Sequence, residues 1–177
     1  MSGAADRTGT LLAAVAADAN AVTSLAQLGD ALVRRLAGYI AMDRFNIGLI
    51  DAHLHLFHDA YVSGRNVAGR ETGHRRTLDG TVVEAAMRVG RTFQFGDAGR
   101  AGWLARFPLF GPVFDSGIRA MMAVPLKSEG TVAATLVFAS RDPAAYGPDE
   151  QALATAIGAA VATRITTFGR LDAPPPS

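Results

Sequence analysis

Apolar positions recur along the chain at two periods, and the switches between them divide it into elements. Leu11, Leu12, Val15, Ala19 and Val22 fall at helical spacing, so Thr10 to Val22 reads as a helix with a narrow apolar stripe. Leu25, Leu28, Leu32, Leu36 and Ile40 repeat every three or four residues, which predicts a second helix, capped by Thr23 or Ser24 and reaching Ile40. At Arg44 the period drops to two. Phe45, Ile47 and Leu49 alternate with their neighbours, giving a strand to Asp51. A tight turn at Asp51-Ala52 would return the chain as a partner strand, His53 to Val62. That strand carries His53, His55, Phe57, Asp59 and Tyr61 on one face.

Ser63 to Arg76 shows no period and reads as a loop. Thr81 and Glu84 have capping-box spacing ahead of a short helix to Val89, with Gly90 placed to end it. Thr92 to Phe95 is a short strand, followed by a long irregular stretch from Gly96 to Gly117 with a short helix near Trp103 to Phe107. Ala120–Leu126 and Thr131–Ser140 form a hairpin of strands. Pro148-Asp149-Glu150 then opens a helix striped by Leu153, Ile157, Val161, Ile165 and Phe168. Short turns join most strands, so the sheet is expected to be largely antiparallel. The terminal helices would cover one face, with the middle helix and long loop on the other, in an α/β sandwich of α+β type.

Composition narrows the chemistry. The 177 residues are 49% apolar with a net charge of +1, enough for one cored domain and unlike a dedicated nucleic-acid binder. The absence of cysteine removes disulfides, thiolate metal sites and cysteine nucleophiles. No apolar run approaches the ~18–20 residues of a membrane span, and Met1 to Thr10 does not resemble a signal peptide. A cytoplasmic location is expected.

Gly117-Ile118-Arg119-Ala120-Met121-Met122-Ala123-Val124-Pro125-Leu126 resembles the penultimate strand of GAF domains. The run from Gly130 to Ser140 is similar to the strand that follows it, with Ala134 where glycine is commoner. Arg141 to Glu150 looks like the family's entry into its last helix. Met42-Asp43-Arg44-Phe45 and Thr92 to Asp97 also fit the pattern. The resemblance spans about Leu25 to Phe168. It implies a six-stranded antiparallel sheet between helix layers, as in the related PAS fold, with a small-molecule pocket on one side. It also implies a sensory or regulatory role in bacterial signalling proteins rather than catalysis. The expected organisation is a helical extension over 1–22, the GAF-like domain over 23–168 and a proline-rich tail or linker over 169–177.

The ligand must be argued from side chains. The Asn-Lys and Phe-x-x-x-Asp-Glu pattern of cyclic-nucleotide binders is not met: Lys127 follows Leu126, and Tyr146 stands one place too close to Asp149. The family's methionine-sulfoxide reductases use cysteine, which this chain lacks. His53 and His55, sharing a strand face with Asp59 or His74 as a third donor, are candidate metal ligands; exposed or hydrogen-bonded histidines are the plainer reading. Asp79, Glu84, Asp149 and Glu150 stand at helix starts, where capping explains them. No nucleophile elbow, phosphate loop or dinucleotide fingerprint is present.

The candidate ligand-binding residues are Phe95, Trp103, Phe107, Phe110 and Phe114, with Met121 and Ala123 as a floor and Arg119 at the rim. The same aromatics could instead plug the space between loop and sheet. The expected partners are a small-molecule effector, a second copy of the chain meeting through the terminal helices, and an output domain in a longer parent protein. A dimerisation scaffold without ligand is the alternative.

Overall fold

The computed structural model describes residues 2–171. Two helices open the chain: α1 (Ser2–Ala21) and α2 (Leu25–Leu36). The Ser24 hydroxyl caps α2 by accepting from the Gln27 N–H. α2 stops at Leu36 rather than Ile40, because Gly38 takes a left-handed conformation. Strand β1 (Arg44–Asp51) matches its alternation. The turn after it is longer than two residues. The Asp51 carboxylate accepts from the N–H groups of His53 and Leu54, so β2 (Leu56–Gly64) begins only at Leu56. The loop that follows contains a short edge strand, β3 (Arg75–Thr77), that no periodicity announces.

Helix α3 (Val82–Val89) has both expected caps. The Thr81 hydroxyl accepts from Glu84 N, and Gly90, left-handed, donates to the carbonyls of Ala86 and Met87. The Glu84 carboxylate reaches back to Gly80 N. After β4 (Phe93–Gly96), the stretch read as irregular is mostly helical. It holds α4 (Arg100–Arg106), a 3-10 turn (Pro108–Phe110) and α5 (Gly111–Asp115). Its pieces are too short, and too interrupted by Gly and Pro, to show a period. The chain closes with β5 (Ala120–Ser128), β6 (Thr131–Ser140) and α6 (Pro148–Leu171). α6 continues through Gly169 into the segment expected as a tail, and the three prolines lie outside the described residues.

The six strands form one antiparallel sheet in the order β3-β2-β1-β6-β5-β4. Alternation divides β5 between two cores. Met122, Val124 and Leu126 face the terminal helices, and Met121 and Ala123 face α3 and the helical loop. In the first core the α6 stripe of Ile157, Val161, Ile165 and Phe168 meets Leu11 and Val15 of α1. The Arg164 guanidinium donates to the carbonyls of Ala19 and Val22, tying α1 to α6. Pro148–Arg170 is long and apolar enough to cross a membrane by length and composition, with a mean hydropathy of 1.2. Thr and Gly interrupt its apolar residues, so no continuous apolar run of that length stands in the sequence. Its stripe of Ile157, Val161, Ile165 and Phe168 is buried in the first core, and 39% of that apolar window is buried in all.

A bulge in β2 decides which side chains reach the second core. Ile47 pairs with Tyr61, but Gly48 pairs with Asp59, leaving Ala60 as the extra residue. Phe57 therefore packs in the α3 core while Tyr61 packs in the terminal-helix core. Gly48 makes room for this arrangement: a Cβ there would lie 2.1 Å from the Phe57 ring.

One polar tie holds the start of β1 to the end of β6. Asp43 accepts from the Arg141 backbone N–H at 2.8 Å and from Arg141 Nε at 2.9 Å. The backbone donor, then the guanidinium, outweighs partial burial and holds this carboxyl below its usual range. A depressed pKa means the stabilisation is present above the unfolded value, about 3.9, and is lost as pH falls through the folded one. Asp43→Asn is expected to cost about 1–2 kcal/mol near neutral pH. It should also reduce the acid sensitivity of urea melts compared at about pH 7 and pH 3. An unchanged acid sensitivity would remove Asp43 from that account.

Candidate functional site

Between the sheet and the α3 layer lies a partly enclosed cavity of about 30 Å3. By the measure in which one water needs about 10–15 Å3, it holds two or three water-sized molecules. Its sheet side is built from Arg44 and Asn46 of β1, Phe57 of β2, Met121 of β5, and Val137 and Ala139 of β6. Its other walls come from the first turn of α3 (Thr81, Val82 and Val83), from Phe110 and Val113, and from Arg70 and Arg76. Most of the lining is apolar, with a concentrated polar side.

That polar side carries unbalanced charge. Arg44 is 7% exposed and Arg70 9%, and Arg76 is four-fifths buried. The one fully buried carboxylate among them is Asp59. Asp59 accepts from Arg76 through both oxygens and from the Asn46 amide at 2.6 Å. Arg44 donates to the backbone carbonyls of Arg65, at 2.8 Å, and Arg70. Arg70 donates to the Leu109 carbonyl at 2.8 Å and stacks 4.8 Å over the Phe110 ring. Arg76 stacks 4.7 Å over Phe57. Its Nε is buried without a hydrogen-bond partner among the described residues. Burial, reinforced by Arg76 and Arg44, pushes the Arg70 guanidinium down to about 10. Burial likewise lowers Arg44, against the attraction of Asp59.

Of the residues singled out from sequence, Phe110 and Met121 line this cavity. Ala123 is buried in the same core without lining it. Phe95, Trp103, Phe107 and Phe114 pack chiefly on one another. Phe95 lies 5.4 Å from Trp103 and 5.0 Å from Phe107, and Trp103 lies 5.8 Å from Phe114. They pack together at α4 and do not line this cavity. Arg119 is turned to its own loop: it donates to the carbonyls of Phe114 and Ile118 and stacks 3.7 Å from the Phe114 ring centre.

The histidine pair does not form as expected. His53 and His55 lie in the β1–β2 turn, not on a strand face, because the Asp51 carboxylate organises that turn. His55 pairs with Asp79 at 2.8 Å and His74 with Glu71 at 2.9 Å, while Asp59 is committed to Arg76. The ligand atoms of His55, Asp79 and Glu84 do gather within 4.8 Å on the surface. Both Glu84 oxygens are already engaged there, by Gly80 N and by Arg88.

No motif in the sequence marks Arg44, Asn46, Arg70 and Arg76 as site residues, and Asp59, a candidate third metal donor beside His53 and His55, instead holds Arg76 and Asn46. Two of the four carry a signal of burial. Arg44 and Asn46 alternate with Phe45 and Ile47 on a strand central to the sheet, so their side chains must enter the second core.

The comparisons agree with this architecture. The family model for the GAF domain matches residues 24–165. The GAF domain of an Acinetobacter phosphoenolpyruvate-protein phosphotransferase superposes with a TM-score of 0.73 at 16% identity, covering 93% of this chain and 96% of that one. A free methionine-R-sulfoxide reductase from Neisseria meningitidis, solved with its substrate, gives 0.70 at 16% identity, covering 93% and 91%. The GAF domain of a sensor histidine kinase from Bacillus halodurans gives 0.63 at 11% identity, covering 84% and 99%. No curated protein matches by sequence.

Proposed function

We propose that this chain, which belongs to the GAF domain family, is a regulatory module that binds a small molecule in the cavity between β1, β6 and α3. The observation that carries this reading is the cavity's chemistry. An apolar lining with a few converging, buried polar groups is the usual make-up of a ligand site, and burying charge without purpose is costly. Fold alone does not decide between sensor and enzyme, since one fold-mate is a reductase. Against cysteine catalysis stands the absence of cysteine. The two groups at the cavity that could serve as a base are engaged, Asp59 behind its wall by Arg76 and the Thr81 hydroxyl by capping α3.

The relay runs through the sheet. Met121 faces the cavity and Met122 the terminal helices, so adjustment of β5 on binding is passed to α1 and α6. Those helices in turn act on a second copy of the chain or on an output domain. The test is a thermal-shift screen of the intact chain against a broad metabolite panel, repeated on Val113→Phe, which fills the cavity from α5. A ligand of this site should raise Tm in the parent by linkage and lose that effect in the variant. A panel without any shift, or a shift that survives Val113→Phe, would defeat the reading.

A further inference from the structure

Resting on the reading of the cavity as a ligand site, we infer that its ligand is a short aliphatic carboxylate, held at its charged end by Arg70, Arg44 and Arg76. Three guanidiniums converge on the cavity's polar side around one carboxylate, Asp59, that is already shared between Arg76 and Asn46. The next acid, Glu71, is half-exposed and pairs with His74. The cluster is thus short of negative charge in a place with room for only two or three waters, and a poorly compensated buried charge is costly. A bound anion supplies what is missing.

A second feature points the same way. The cavity wall includes Val82 and Val83, the first two residues of α3. The first N–H groups of a helix lack intrahelical acceptors and stand at its positive end. The Thr81 hydroxyl and the Glu84 carboxylate already cap this start at Glu84 N and Gly80 N, so it adds to the guanidiniums only through the positive end left at Val82 and Val83.

Size and the remaining walls select among anions. Room for two or three waters suits a ligand of about three to five non-hydrogen atoms. Val83, Val113, Met121 and Val137 offer apolar contact opposite the arginines. A carboxylate with a one- or two-carbon tail satisfies both halves, its two oxygens matching the guanidinium fork. Inorganic phosphate would leave polar oxygens against those apolar walls. A nucleotide exceeds the space.

The test is calorimetric titration of the intact chain, in a buffer free of carboxylates, with propionate, its neutral isostere propionamide, and inorganic phosphate. Propionate is expected to bind at least tenfold more tightly than either of the others. Arg70→Met keeps the apolar stem over Phe110 and removes the charge; it is expected to weaken propionate at least tenfold without helping phosphate. Should Arg70→Met fail to fold, the comparison of propionate with propionamide on the parent chain still decides the matter. Equal binding of the two, or propionate binding unaltered in a folded Arg70→Met, overturns the carboxylate assignment and leaves the small-molecule reading standing. No binding of propionate while the metabolite screen yields a cavity ligand of another class also overturns it. Failure of that screen as well removes the regulatory reading itself.

Discussion

Asp59→Asn is expected to lower the stability of the chain by about 3–5 kcal/mol, the loss seen when one partner of a buried ion pair is removed. The substitution preserves shape and leaves an oxygen for the Asn46 amide, so packing loss is small. What it removes is the one fully buried negative charge beside Arg44, Arg70 and Arg76. The three guanidiniums then share a largely buried space without a buried counter-charge. Asp115→Asn is the control. Its partner Arg100 lies 2.9 Å away, but the two side chains are 52% and 57% exposed, and such a pair is worth about 0–1 kcal/mol. Denaturant melts of the two variants measure the contrast. The arginine cluster also predicts a rescue: millimolar propionate should recover more stability in Asp59→Asn than in the parent, because the anion replaces lost charge. A loss below about 1 kcal/mol would mean that water screens the cluster far better than its burial implies.

The frame of this fold was legible because long periodic segments carry redundant signals. β1 repeats its alternation over eight residues, and α6 repeats its stripe five times. α3 is short, but Thr81 and Gly90 bracket it with capping chemistry that depends on local sequence alone. The site was less legible, because it is assembled by register and by loops. Asp59 meets Arg76 and Asn46 behind the cavity wall since a bulge at Ala60 sets the face of β2, and alternation cannot show a bulge. Arg70 and Arg76 come from a stretch without periodicity. Arg70 sits beside Phe110 through a contact spanning forty residues. The placement of the aromatics was hard to read for a related reason. Their chemistry suits a ligand, but whether they meet one another or a cavity depends on how α4 folds over β4. Here Phe95 turns its ring onto Trp103 and Phe107, and Phe110 alone among the five extends to the cavity wall.

That position of Phe110 gives Trp103 a consequence beyond packing. Trp103 is fully buried against Phe95, Phe110 and Phe114, so Trp103→Ala is expected to cost about 3–5 kcal/mol. Trp103→Phe should cost much less. It loses part of the ring's contact but also removes the indole N–H, which is buried without a hydrogen-bond partner among the described residues. An orphaned donor of this kind penalises the folded state by about 1–3 kcal/mol, offsetting the lost packing. The two variants should also separate in binding. Trp103 supports Phe110, Phe110 carries the Arg70 guanidinium, and Arg70 lines the cavity. Removing the indole in Trp103→Ala frees Phe110 to shift, so propionate affinity should fall although residue 103 does not line the site. In Trp103→Phe the ring that braces Phe110 is kept, and the affinity should remain near that of the parent. Equal destabilisation by the two variants would show that the indole N–H has found a partner. Equal affinity in both, with Trp103→Ala folded, would show that Arg70 is held by the Leu109 carbonyl rather than by the aromatic stack.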